Sequence, residues 1–299
     1  MEQAEFIRTI LAEREDDLPR LVFADWLEEH GQQARAAWIR ASCQLARVRA
    51  NDATFGELIE LRWESFRLCR PEWWQDVPGV TQQNDRGIFR FRVESRAAVT
   101  KLGKLPWLGE AVADGWLEGI SVEKCDESRA RLQAKWPDIA QQVPLFVQPV
   151  PQISDAGLRF YLELPHLWGL DLPAYATRNP SIRLLDRRTD LRELNLKDVP
   201  TDGAVAPLME QVGRLSGLRR LSVYHFRQAT DDDLEPLSGL TKLRQLELYW
   251  CSSITDVSLA RFCQLPCLRM LKLVGCERVT EAAIAEFRRS LPTLQIEQV

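Results

Sequence analysis

The stretch LRQLELYWCSSITDVSLARF, Leu243 to Phe262, decides the fold. Its LxL core alternates with period two, so Leu246 and Leu248 face one side of a short strand. Thr255 and Asp256 follow where a helix start is wanted, and their side-chain oxygens suit the free N–H groups there. Leu259 and Phe262 then lie on one helical face. Shifted by 25 residues in either direction, the pattern recurs. Leu218, Leu243 and Leu268 align, as do Leu221, Leu246 and Leu271, and Val223, Leu248 and Leu273. The phase holds through Phe226, Cys251 and Cys276, then Thr230, Thr255 and Thr280, and then Asp231, Asp256 and Glu281. It closes on Leu234, Leu259 and Ile284, with Leu237, Phe262 and Phe287. So many columns in phase over three copies mark a repeat.

Further copies flank these three. LRELNL at Leu191 stands 27 residues before Leu218, LWGLDL at Leu167 a further 24 before that, and LPTLQI at Leu291 stands 23 after Leu268. ISDAGL (Ile153 to Leu158) matches ITDVSL (Ile254 to Leu259), which carries the array back to about residue 140, with a weaker copy from Val143. No single unit buries its leucines alone; stacked units do, with a parallel sheet on one side and helices on the other. The succession LxxLxLxxC, ITD, LxxF resembles the cysteine-containing leucine-rich-repeat family. The expected fold is therefore α/β: a leucine-rich-repeat solenoid with a parallel sheet and helices on its convex face, preceded by an N-terminal all-α domain.

Cys251 and Cys276 share their column with Phe226, and a position that takes either residue type is an interior packing site where a thiol serves as a small hydrophobe. Cys263 and Cys267 make a C-x3-C pair, yet His30, His166 and His225 are far apart, so zinc spacing is not met. Neither a metal nor a cofactor is expected. The outward strand positions are more informative. Trp168, Asp171, Glu193, Asn195 and Lys197 are read as pointing away from the core in the earlier copies. In the later ones the candidate partner-binding set is Arg220, Tyr224, His225, Glu247, Tyr249, Trp250 and Lys272, gathered on the concave face. Tyr, Trp and Arg dominate interface energetics once desolvated. The competing reading is that these aromatics only cover neighbouring strands as cross-strand pairs.

The N-terminal third does not repeat and reads as helices. Phe6, Ile7, Ile10 and Leu11 make one apolar face. DDLPRLVFADWLEEHG follows, with Asp16 or Asp17 as cap, Pro19 in the first turn, Gly31 as stop, and Leu18, Leu21, Val22 and Trp26 as its expected buried stripe. Helices are expected over 34–48 and 54–69. The segment AEFIRTILAEREDDLPRLVFADWLEEHGQQARAAWIRASCQLARV closely resembles a bacterial repeat-companion domain that precedes leucine-rich repeats, with PRLVFADWLEEHG its most specific part. That resemblance implies an architecture and no enzymatic activity. The expected organisation is a helical domain over 1–79, a connecting and capping segment over 80–139, and the array over 140–299. A loop and strand from about Pro71 to Val93, carrying Trp73 and Trp74, join helices to array and cap it, with Trp107, Trp116 and Trp136 as core or capping residues. Arg20 and Arg40 are expected to pair with Asp25, and the acidic run Glu13 to Asp17 serves the helix start rather than catalysis.

Composition bounds the function. The 299 residues carry a formal net charge of -4, against a general phosphate-binding surface, so nucleic acid is not an expected partner. MEQAEFIRTILAERED lacks a cationic lead before a long apolar run, and no stretch of 18 apolar residues occurs, so neither a signal peptide nor membrane attachment is expected. The 7 scattered cysteines suit a reduced, cytoplasmic protein. No G-x-S-x-G, Walker loop, H-E-x-x-H or G-x-G-x-x-G is present. The expected function is a non-catalytic interaction module or adaptor whose partner is a protein. Two alternatives stand beside it: an F-box-like substrate receptor of a ubiquitin-ligase complex, by analogy of layout, and an enzyme with its site between the two domains.

Overall fold

The computed structural model describes residues 3–13, 16–48, 52–71, 80–93, 102, 105–114, 116–125, 145–149, 151–198 and 205–298. Trp73, Trp74, Trp136 and the weak copy at Val143 lie outside them. The chain divides into two compact units, Met1–Val122 with Gln141–Pro144, and Glu123–Ala140 with Leu145–Val299. The stretch 80–122, read above as connecting segment, belongs to the unit that contains the helices.

In the first unit, helices α1 (Gln3–Ala12), α2 (Leu18–Glu29), α3 (Gln33–Leu45) and α4 (Phe55–Cys69) pack in succession. Pro19 sits in the first turn of α2, and Gly31, at φ +78°, follows its end in a conformation that costs glycine little. Asp16, not Asp17, serves the helix start: its carboxylate accepts the Leu18 N–H at 3.0 Å. Asp17 is buried instead between Arg47 Nε at 2.7 Å and Arg86 Nη1 at 3.1 Å. The buried stripe of α2 also differs from expectation. Arg20, Phe23, Ala24 and Leu27 turn inward, while Leu18 and Val22 are 62% and 43% exposed. Two apolar rows run along this helix. Phe23 against Phe6, with ring centroids 5.7 Å apart, selects the second. Arg20 tolerates burial because its guanidinium turns back to the Asp16 carbonyl at 3.2 Å. Asp25 is met by Arg40 at 2.7 Å, in an exposed pair that Glu28 shares.

Strands β1 (Val80–Asp85) and β2 (Ile88–Val93) form an antiparallel hairpin. Arg86 and Gly87 turn it with φ of +49° and +87°, as a two-residue turn matched to strand twist requires. Gly87 also lies where a Cβ would sit 2.6 Å from Ile39, so α3 closes on the turn itself. After α5 (Leu108–Ala113), strand β3 (Leu117–Cys125) pairs with β2 in parallel. Trp38 is the centre of this core, against Phe66, Phe89 and Trp116 at 5.1–5.5 Å. Trp107 meets Phe91 edge-on at 6.2 Å. Arg35, 3% exposed, lies 4.0 Å over the Trp116 ring and donates to the Asp114 carbonyl at 2.6 Å. Burial lowers its pKa to about 10, which leaves it charged at neutral pH.

In the second unit, β4 (Leu145–Pro149), β5 (Leu167–Leu172), β6 (Glu193–Lys197), β7 (Arg220–Tyr224), β8 (Gln245–Tyr249), β9 (Met270–Val274) and β10 (Gln295–Gln298) stand side by side in chain order. Every neighbouring pair is parallel. The register puts Leu170, Leu194, Leu221, Leu246, Leu271 and Ile296 in one row, and Leu172, Leu196, Val223, Leu248 and Leu273 in the next. All are buried. Each such leucine contributes about 1.5–3 kcal/mol. The connections carry α6 (Asp155–Leu162), α7 (Val205–Gly213), α8 (Asp256–Phe262) and α9 (Glu281–Ser290). Where an α-helix was expected after β7, a 3-10 turn forms instead (Glu235–Gly239), and two more lie between β5 and β6. Pro236 and Pro180 stand in the opening turns of these segments, and a proline there supplies no N–H to a helical ladder.

The helix starts are capped by Ser154, Thr255 and Thr280, whose hydroxyls accept from Gly157, Val257 and Ala283 N–H groups. Three aspartates, each one residue after a Ser or Thr of this column, reach forward to the next connection. Asp231 accepts from the Thr255 amide at 2.9 Å and hydroxyl at 2.7 Å, and from the Ser258 amide and hydroxyl. Asp256 accepts from the Thr280 amide at 2.7 Å and hydroxyl at 2.8 Å, and Asp155 from the Ser181 amide at 2.7 Å. Burial alone would raise the Asp231 carboxyl; the Ser258 and Thr255 donors outweigh it and hold the pKa below the ordinary value. A carboxyl depressed on folding adds stability above its unfolded pKa of about 4 and loses it as pH falls through the folded value. Asp231→Ala should therefore cost about 1.5–3 kcal/mol in urea unfolding at pH 7, with Thr255 and Ser258 donors left unmatched. The gap to wild type should narrow below about pH 4.

Candidate functional site

The face of the sheet opposite the leucines is built by strict register. Glu193, Arg220, Gln245, Met270 and Gln295 form one row, and Asn195, Ser222, Glu247, Lys272 and Glu297 the second. Lys197, Tyr224, Tyr249 and Val274 form the third. Parallel strands lie about 4.8 Å apart, so each side chain meets its row neighbour. Tyr224 and Tyr249 accordingly stack face to face, with centroids 4.5 Å apart and 3° between planes. Arg220 bridges to Glu193 at 3.3 Å, Lys197 to Asp171 at 2.6 Å and Lys272 to Glu297 at 3.5 Å. Glu247 accepts from Ser222 at 3.1 Å, from the Tyr249 hydroxyl at 3.2 Å and from Gln245. Burial and the Glu247 charge both push the Tyr224 and Tyr249 phenols up.

One residue beyond the strand ends, Asp198, His225, Trp250 and Gly275 form a column with φ of +53°, +60°, +55° and +64°. The interstrand ladder continues through it, from Asp198 N–H to the Tyr224 carbonyl, His225 N–H to Tyr249 and Trp250 N–H to Val274. Each residue leans on the next: Asp198 holds His225 Nδ1, and the His225 ring stacks on Trp250 at 4.5 Å and 17°. A Cβ on Gly275 would fall 2.6 Å from Trp250 Cδ1. Glycine and aspartate adopt this left-handed geometry readily, whereas a bulky ring there carries about 1–2 kcal/mol of strain. Trp250 is 42% exposed, so core burial does not hold it in place.

Register and stacking thus bring Tyr224, His225, Tyr249 and Trp250 together, with Arg220, Glu247 and Lys272 in the adjoining rows. Trp168 and Asp171 do not fit the expected exposed set. All of β5 is buried, and Gly169, not Trp168, aligns with Glu193. Trp168 stands one position earlier, edge-on to Phe146 at 5.9 Å, next to an irregularity in the β4–β5 register. Asp171 does face the open side but is covered by Asn195 and Lys197. Asp198 escaped the sequence reading. Its signal was the column it shares with His225, Trp250 and Gly275, whose aspartate and glycine mark a left-handed position. Cys251 and Cys276 are buried behind this face, their thiols near the Tyr249 and Leu248 carbonyls at 3.7 Å. Burial raises Cys43 to about 12, and Cys69 and Cys263 to about 11, so these thiols are protonated at neutral pH.

Among the described residues, no three His, Cys, Asp or Glu side chains gather to hold a metal ion, and no helix is long and apolar enough to cross a membrane. No known family matches the chain, and no curated protein of similar sequence is found.

Gly275→Ala should destabilise the protein by about 1–3 kcal/mol, because the new methyl is strained at positive φ and displaces Trp250. Trp250→Gly should stay within about 1 kcal/mol of wild type, since relief of the left-handed strain offsets the lost ring contact. Urea titrations of both variants check the pair. Thiol labelling gives a separate check. Cys267 is exposed whereas Cys251 and Cys276 are buried. Cys267→Ser should therefore remove one fast equivalent of a chromogenic disulfide reagent, and neither Cys251→Ser nor Cys276→Ser should remove any.

Proposed function

We propose that this chain is a leucine-rich-repeat protein, with a helical unit of the repeat-companion type, that works as a non-catalytic interaction module in the cytoplasm. Its working surface is the concave strand face around Tyr224, Tyr249 and Trp250, and its partner is a protein. The observation that carries this reading is the strained, half-exposed Trp250. A bulky ring kept at positive φ without burial serves something other than stability, and such residues gather at functional positions. Repeat units in register support the solenoid reading. An open sheet face supports binding over catalysis: in the Asp198–His225 pair both side chains are well exposed, so water is not kept from them.

Affinity capture from native lysate tests this, with wild type beside a Tyr224→Ala, Tyr249→Ala, Trp250→Ala variant shown by circular dichroism and urea titration to remain folded. A protein retained by wild type and lost from the folded variant is the expected result. Equal retention by both moves the working surface elsewhere and leaves the aromatics as cross-strand cover.

A further inference from the structure

We infer that the segment docked on this face is a basic polypeptide, one that brings lysine or arginine side chains to the Asp198–Trp250 end of the sheet. This rests on the strand face being the interaction surface and adds the chemistry of what it holds.

Ring geometry comes first. Tyr224 and Tyr249 cover one another's faces, and across the strands Tyr224 neighbours Lys197 and Tyr249 neighbours Val274. His225 lies between Asp198 and Trp250, while the far side of Trp250 rests over Gly275. The Tyr224, Tyr249 and Trp250 rings thus have neighbours toward both faces and present their rims outward. A sugar that stacks on a ring, or a cation centred over one, needs an open face. A long side chain needs only the apolar rim, along which its methylene stem lies while its charged head reaches beyond.

Charge sets the sign of that head. Asp171, Glu193, Asp198, Glu247 and Glu297 on this face outnumber Lys197, Arg220 and Lys272. Each of the three cations already bridges to a carboxylate, at Asp171, Glu193 and Glu297. Two further carboxylates flank the ring stacks: Asp198 touches His225, and Glu247, which has Arg220 and Lys272 as charged neighbours, accepts from the Tyr249 hydroxyl. Asp198 is 65% exposed. The opposite charge collects at the other end. Arg192, Arg219, Arg244 and Arg269 each stand one residue before a strand, and Arg192 donates to the Thr189 and Gly217 carbonyls. About 17 Å of strand separates that column from the aromatic end. An exposed carboxylate, Asp198, thus stands beside the rings, and complementary charge there selects a basic partner.

Fluorescence anisotropy of the full chain with labelled twelve-residue peptides tests this. Three peptides share alternating leucines and differ in carrying lysine and arginine, glutamate, or serine between them; a labelled chito-oligosaccharide is the fourth probe. The basic peptide should bind about tenfold more tightly than the acidic one at low salt, and that margin should shrink as salt screens the exposed carboxylate. Asp198→Asn should weaken it about threefold or more, and Trp250→Gly about tenfold. Glu57→Gln, which removes an exposed carboxylate on α4, should leave it unchanged. Equal or tighter binding of the acidic peptide, the serine peptide or the saccharide overturns the inference, as does Asp198→Asn without effect or Glu57→Gln with an equal one. If the binding seen in those cases still falls with Trp250→Gly, the face remains the working surface and only the basic chemistry is wrong. If no probe binds, or none responds to Trp250→Gly, the inference and the interaction surface fall together.

Discussion

The second unit depends on a carboxylate that reaches from one connection to the next. Asp231 binds the cap residue Thr255, and Asp256 binds the cap residue Thr280, in each case through both the amide and the hydroxyl. The amide of a helix cap lacks an intrahelical partner and is costly to leave unmatched. Supplying its acceptor from the preceding connection fixes the rise between neighbours more narrowly than leucine packing does, because hydrogen bonds are directional and apolar contacts are not. Asp155 does the same for the Ser181 amide, where the following connection is 3-10 rather than α. The stitch therefore tolerates a change of helix type that the leucine rows do not register. In the copy that follows Asp256 the column holds Glu281.

Much of this was legible in the amino-acid pattern. A period of 25 with aligned leucines specifies parallel neighbours and equivalent rows, and the register pairs Leu221 with Leu246 and Leu271 as the columns do. The packing role of Cys251 and Cys276 was legible for the same reason, since a column that holds Phe226 is interior. What escaped was decided by contacts remote in sequence. In α2 two apolar rows compete, and contacts from other helices, the Phe6 ring and the Arg35 guanidinium, favour Phe23 over Leu18. Trp168 was misplaced because the β4–β5 register is irregular, an event that no single repeat encodes. Asp198 was missed because its importance comes from a backbone angle, and periodic hydrophobicity says nothing of angles.

The open face shows how register imposes order on residues that the core does not constrain. In-register parallel strands stack like positions on like, so two tyrosines in one column must meet face to face. For charges the same geometry is adverse, because equal signs opposite one another repel. The rows obey this: Arg220 sits beside Glu193, and Lys272 lies between Glu247 and Glu297. Alternation cancels most of the field across the rows. The left-handed column is where that cancellation stops, since its members are an aspartate, a histidine, a tryptophan and a glycine, with no lysine or arginine among them. The end of the sheet that carries backbone strain is therefore also the end where a carboxylate remains turned to solvent. Strain at Trp250 and exposure at Asp198 have one structural origin, the continuation of the parallel ladder one residue past the strands.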